Sequence, residues 1–334
     1  MVTLSFAVSM NLLEKKFLEQ IRERRLVENG DKVLVAVSGG PDSMAMLSLF
    51  CAVKPLLHCD FSVAHCNFQL RGAESDADEC FVRHHALDLG LDCFVERFDS
   101  LRFAGEWKKS VEETARILRY TFFEQLMLER GFTRIATGHH VNDNAETILF
   151  NLFRGVSLPG LRGIRASNGK IIRPMLLLHK AEIAVYLIEK GIASRTDTSN
   201  IDNDFDRNFI RNRVIPLIEE RFPHKLLPSL RRLSEQAGEL EEFLELYFEN
   251  LCERETGLSF ADGKLDVRAL QRLTVFEQKE LFKRALRDME APVDAKALQK
   301  LVDLLASQPG KMVMAGRQLR VLWKGGSLCF LREP

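Results

Sequence analysis

The sequence predicts an α/β fold: a doubly wound parallel sheet, then a long linker helix and a smaller α+β C-terminal domain. Three observations carry that prediction. Nearly continuous apolar runs recur at 32–37 (KVLVAV), 61–65 (FSVAH), 91–95 (LDCFV) and 133–137 (TRIAT), the pattern of strands buried on both faces. Helical patterns fill the gaps, at about 43–53, 76–89 and 110–129. After about residue 207 this alternation stops and amphipathic helices take over.

In chain order, Leu12, Leu13, Phe17, Ile21 and Leu26 repeat at near-helical spacing, and Asn29-Gly30 stops that helix. The strands and helices of the sheet follow. Between Leu226 and Glu255, Leu240, Phe243, Leu244, Phe248 and Leu251 share one helical face among eight glutamates. Two further helices are expected at about 276–290 and 294–306. The tail reads KMVMA, RQLRVLW and SLCFLR, short antiparallel strands with a hairpin at Gly325-Gly326. The domain expectation is a nucleotide-binding catalytic domain over 1–216, a helical linker over 217–255 and a small C-terminal domain over 256–334.

The 334 residues are 46% hydrophobic and 28% charged, which excludes disordered and fibrous architectures and provides two domains' worth of core. Lys+Arg and Asp+Glu are both 47, so attraction to a polyanion has to come from a local patch. Such patches exist. Residues 150–180 hold six basic side chains and no acid, and Arg207 to Arg232 hold seven against Glu219 and Glu220, whereas Glu74 to Asp99 hold eight acids and two arginines. The basic segments read as a nucleic-acid face or as surface charge paired with the acidic segment. No apolar run is long enough for a membrane span and the first residues lack a basic leader, so a soluble, cytoplasmic protein is expected. The seven cysteines are odd in number and never spaced Cys-x-x-Cys, which reads as buried free thiols rather than a disulfide, zinc or iron–sulfur framework.

The chemistry concentrates in two strand-to-helix junctions. In VLVAVSGGPDSMAMLSLF, Ser38, Gly39, Gly40, Pro41, Asp42 and Ser43 stand between a buried strand and a helix, where backbone N–H groups converge on an anion. The glycines admit a close approach, and the two serines add hydroxyls. Asp42 beside phosphates implies a bridging Mg²⁺. Neither G-x-x-x-x-G-K-[ST] nor G-x-G-x-x-G is present, which argues against a Walker NTPase and a dinucleotide dehydrogenase. In ATGHHVNDNAETILFNLFRG, His139, His140 and Asp143 lie beyond the end of another strand, and Asp143 and Glu146 share a face of the next helix. Asp143 with Asp42 completes the expected Mg²⁺ site.

These segments carry a resemblance. SGGPDS is similar to the pyrophosphate-releasing loop of the N-type ATP pyrophosphatases, within the adenine nucleotide alpha hydrolase-like folds. HCNFQLRGAESD, SVEETARILRYTFF, TGHHVNDNAETILFNLFRGVSLPGLRGI, IIRPMLLLHKAEI and DTSNIDNDFDRNFIRNRVIP extend it to the tRNA(Ile)-lysidine synthetase branch over most of 32–216, and PGKMVMAGRQLRVLWKGGSL resembles that branch's first C-terminal domain. The chain departs from the pattern at Asn142, where many members have aspartate, and at Phe68, where many have histidine.

The resemblance implies that the CAU anticodon's first-position cytidine in tRNA(Ile) attacks ATP through its C2 oxygen, expelling pyrophosphate. The ε-amine of free L-lysine then displaces AMP to give lysidine. It implies Asp42, Asp143 and His139 as catalytic candidates, with Ser38 to Ser43 on ATP and with His140, Asp143 and Glu146 on the lysine; which histidine is the base stays open. Arg116, Arg154, Arg207 and Arg211 are the tRNA candidates, and for the last two the competing reading is pairing with acids of their own domain. A homodimer stays open. The rivals are a tRNA 2-thiolation enzyme, which usually needs paired cysteines, a small-molecule ATP pyrophosphatase and a non-catalytic nucleotide- or RNA-binding module.

Overall fold

The structure is a computed structural model that describes residues 10–156, 158–195, 206–260 and 262–332. The leader segment considered above and most of DTSNIDNDFD lie outside the described residues. The chain divides into two compact units, Met1–Ala237 and Gly238–Pro334.

The first unit opens with α1 (Leu12–Glu23), started by a reciprocal cap in which Asn11 and Glu14 each accept the other's backbone N–H at 2.9 Å. The sheet strands are β1 (Lys32–Ala36), β2 (Asp60–Asn67), β3 (Cys93–Arg97), β4 (Arg134–Ala136), β5 (Ser167–Asn168) and β6 (Ile171–Ile172), in spatial order β3-β2-β1-β4-β6-β5. All neighbours run parallel except the β5–β6 edge hairpin. That hairpin is absent from the sequence reading, because two-residue strands are too short to leave a period.

The β1 run is apolar throughout because each face of the sheet is covered. Val33 and Val35 enter one core with Phe17 and Ile21 of α1, while Leu34 enters another with Phe122, Phe123 and Leu126. The helices are α2 (Pro41–Leu57), α3 (Ala73–Asp88), α4 (Ser100–Trp107), α5 (Val111–Arg130), α6 (Val141–Phe153) and α7 (Lys180–Lys190). α2, α3 and α7 supply Phe50, Val82 and Ile183 to the first core, and α5 supplies the second. The winding is therefore on both faces, as expected.

α8 (Asp206–Phe209), a π-helical turn over Ile210–Val214 and α9 (Ile215–Arg221) follow, then α10 (Leu226–Arg254), within which the boundary between the units falls. The second unit packs α11 (Val267–Gln271), α12 (Val275–Asp288) and α13 (Ala295–Leu305) with an antiparallel sheet of β7 (Lys264–Asp266), β8 (Met312–Met314), β9 (Leu319–Lys324) and β10 (Ser327–Arg332), in order β7-β10-β9-β8. Gly325 (φ +60°) and Gly326 (φ +81°) close the β9–β10 hairpin between paired Lys324 and Ser327, and two positive φ angles suit a two-residue primed turn. One helical-face assignment is corrected: Phe243 is 61% exposed and stacks on Tyr247, while Phe248 is buried in the core. All seven cysteines are free; Cys80 is exposed, against the expectation of buried thiols, and the others are at least partly buried.

Candidate active site

β1 and β4 are sheet neighbours although α2, β2, α3, β3, α4 and α5 separate them in the chain. The winding reverses between them, and α/β sheets bind ligands in the crevice at such a reversal. The two strand-to-helix junctions singled out in the sequence therefore stand side by side.

At the end of β1, Gly39 takes φ +92°, a conformation that glycine enters without cost, and Gly40 leads into α2 with no side-chain cap. Pro41 contributes no N–H, so the amides of Asp42 and Ser43 at the positive end of the helix dipole face outward for an anion. The serines brace the loop. Ser43 Oγ donates to Gly40 O at 2.9 Å and accepts from Ser38 N at 3.1 Å, and the two hydroxyls are 3.1 Å apart. From the β4 side the backbone comes close: a Cβ on Gly138 would lie 3.4 Å from the Asp42 carbonyl.

His140 links the junctions. Its ring is buried; Nε2 faces Asp42 Oδ1 at 3.6 Å, and Nδ1 accepts Asp143 N at 3.4 Å while Asp143 Oδ2 accepts His140 N at 2.9 Å. Burial penalises the His140 cation, but the Asp42 hydrogen bond and the charges of Asp143 and Asp42 outweigh it and raise its pKa. Asp42 is likewise penalised by burial, yet His140, Lys180 and Arg211 hold its carboxyl below the ordinary value. His139 moves the other way: burial pulls its pKa down to about 4, against the opposing pull of Asp143 and with the help of Arg173, Arg116 and Arg119. Its Nδ1 lies 3.0 Å from Thr137 Oγ1.

The two acids on α6 are already engaged. Arg211 binds Glu146 with Nε at 2.6 Å and Nη2 at 2.8 Å, and reaches Asp143 Oδ1 at 3.4 Å. Arg211, expected among the tRNA contacts, is thus held by acids of its own unit, half-buried Asp143 and buried Glu146, whose two oxygens match the guanidinium fork. Arg116, Arg154 and Arg207 are exposed. Arg154 and Arg207 lie over the Phe150 ring at 5.2 and 5.5 Å, and Arg116 lies over Tyr120 at 5.0 Å. Asn142 accepts the N–H of Lys180 at 3.2 Å, at the start of α7, and Phe68 stacks with Phe98 under Arg119.

A cavity of about 220 Å³ adjoins the loop, bounded by Ser38, Gly40, Phe68 and Arg119. Its lining also contains Arg71, Asp78 and Arg195, which sequence reasoning did not single out because they read as ordinary surface charge. Among the described residues no three His, Cys, Asp or Glu side chains gather into a metal-holding cluster. Asp42 and Asp143 still fit Mg²⁺, which is typically held by one or two carboxylates with substrate phosphates and water completing the shell.

Residues 10–218 match the PP-loop domain family. Over 321 residues the chain is 55% identical to the tRNA(Ile)-lysidine synthase of Chlorobaculum tepidum, covering 96% of this chain and 97% of that protein. The chain belongs to the tRNA(Ile)-lysidine synthase family. It is also 38% identical over 248 residues to the family's Clostridium perfringens member, 73% of this chain, and spans about half the length of that relative, 53%. Among solved structures, the U34-tRNA thiolase NcsA from Methanococcus maripaludis, with its [4Fe-4S] cluster, superposes with a TM-score of 0.56 at 17% identity, over 67% of this chain and 79% of that one, which shows the shared fold. As a family member with dispersed cysteines, the chain does not favour the thiolation alternative. No described helix is long and apolar enough to cross a membrane.

Proposed function

We propose that the protein forms lysidine at the first anticodon position of tRNA(Ile), using ATP and free L-lysine in the cytoplasm. The observation that carries this reading is the adjacency of β1 and β4, which sets the phosphate-binding loop against His139, His140 and Asp143 in a chain of this family.

The Asp42 and Ser43 amides and the positive end of α2 hold the nucleotide's phosphates, and the serine-braced loop offers those donors without rearranging. Asp42 and Asp143 would hold a Mg²⁺ ion, which would supply neutralisation of the phosphate charge. The cytidine C2 oxygen attacks the α-phosphorus and pyrophosphate leaves. The lysine ε-amine then attacks C2, the bond from C2 to the adenylated oxygen breaks, and AMP departs. An amine attacks only when neutral, so a proton must move to a nearby acceptor. His139 and His140 are the candidate acceptors, burial keeping His139 uncharged at neutral pH and Asp42 and Asp143 favouring the protonated form of His140 between them. Asp143 and Glu146 receive the substrate's α-ammonium, and Arg211 beside them suits its carboxylate. Arg116, Arg154 and Arg207 bind tRNA phosphates, and the second unit contributes to reading the rest of the tRNA.

The test is mass spectrometry of a tRNA(Ile) transcript incubated with ATP, Mg²⁺ and lysine. A product carrying one lysine with loss of water at the anticodon cytidine is expected. An unmodified transcript would sink the reading.

A further inference from the structure

The wall of the cavity opposite the loop is built around one carboxylate. Asp78 on α3 is 8% exposed; its Oδ2 accepts Arg71 Nη2 at 2.6 Å, and its Oδ1 accepts Arg195 Nε. Arg195 in turn grips the loop, because its backbone N–H donates to Gly39 O at 2.9 Å. One residue thus ties the segment after α7 to the phosphate-binding loop with its main chain and to α3 with its side chain. Ser38, Gly40, Arg71, Asp78 and Arg195 all line the same cavity.

We propose that Asp78 is a positioning residue for the nucleotide: by holding Arg71 and Arg195 it sets the cavity wall and, through Arg195, the Gly39 carbonyl, so that ATP meets a loop already in its binding shape. This rests on the proposed ATP-binding role of the loop and deepens it by taking the cavity that adjoins the loop as the nucleotide's place. A carboxylate here opposes bound phosphates electrostatically, so charge alone predicts that removing it tightens ATP binding. Preorganisation predicts the reverse, since two guanidinium groups and a loop would have to be ordered at the moment of binding.

The experiment measures ATP affinity by titration calorimetry, together with pyrophosphate release in the presence of tRNA and lysine. Asp78→Asn is expected to weaken ATP binding and raise its KM about tenfold, with kcat at saturating ATP falling by less. Arg195→Gln should do the same, and the double variant should be no worse than the poorer single one, because both break one clamp. ATP binding that is unchanged or tighter in Asp78→Asn, or single effects that multiply in full, would overturn the proposal. Should Asp78→Asn fail to fold, Arg195→Gln decides alone, its side chain being 40% exposed, and an unaltered KM overturns the clamp. Wild-type protein that makes lysidine yet binds no ATP at this cavity, judged by indifference to Phe68→Ala, would overturn the site reading and the clamp with it.

Discussion

Asp42 illustrates how much one side chain depends on a partner from another strand. Its carboxylate would oppose bound phosphates unless a cation intervened, and His140 presents Nε2 to it across the junction. Asp42→Asn is therefore expected to lower pyrophosphate release by about a hundredfold or more, since electrostatic stabilisation of this kind supplies a large share of catalysis. Near-wild-type turnover at saturating Mg²⁺ would remove Asp42 from the metal site. Glu79 shows a structural use of charge. Burial raises its pKa, but hydrogen bonds from Arg97, Asn67 and Arg83 outweigh burial and hold it at about 2, against an ordinary 4.5. Because the folded value lies below the unfolded one, this stabilisation is complete above about pH 4.5 and lost as pH falls toward 2. Melting temperatures of Glu79→Gln should therefore fall at neutral pH and vary less than wild type between those limits.

At the scale of elements, the turn after α6 rests on a close approach. Gly163 has φ +70°, and a Cβ there would lie 2.2 Å from Asn144 Oδ1, which accepts Ile164 N at 2.6 Å. Gly163→Ala should destabilise the fold by about 1–3 kcal/mol, visible in a denaturant midpoint, through positive φ and through displacement of Asn144. Phe150 of α6 also lies beneath an exposed guanidinium pair, Arg154 just past that helix and Arg207 of α8. Charge reversal at Arg154 or Arg207 is expected to weaken tRNA binding and flatten its salt dependence while ATP binding holds, because each phosphate contact releases counterions. Unchanged affinity across a salt titration would exclude the patch.

For the molecule as a whole, the loop after β1 and the acids on α6 belong to separate chain segments that sheet pairing brings together, with His140 between them. The loop is braced by its own serines and needs nothing from the lysine side to form. ATP and tRNA without lysine should therefore yield pyrophosphate and an AMP-labelled tRNA. Labelled ATP tests this: no label on the tRNA until lysine is added would mean that the amine completes the site.

Apolar continuity and helical period were enough to place β1, α2 and α5, because strands covered on both faces leave no polar alternation to confuse them. The phosphate-binding loop was legible for the same local reason, since strand, glycines and helix start are contiguous. What pairs with what was not local. Glu146 and Arg211 read in the sequence as two separate residues, and only folding joins them in one ion pair; Asp78 reads as one acid among eight until Arg71 and Arg195 close on it. Charged side chains acquire partners from segments distant in the chain, so periodicity determined the elements while only sheet order and burial decided which charges meet.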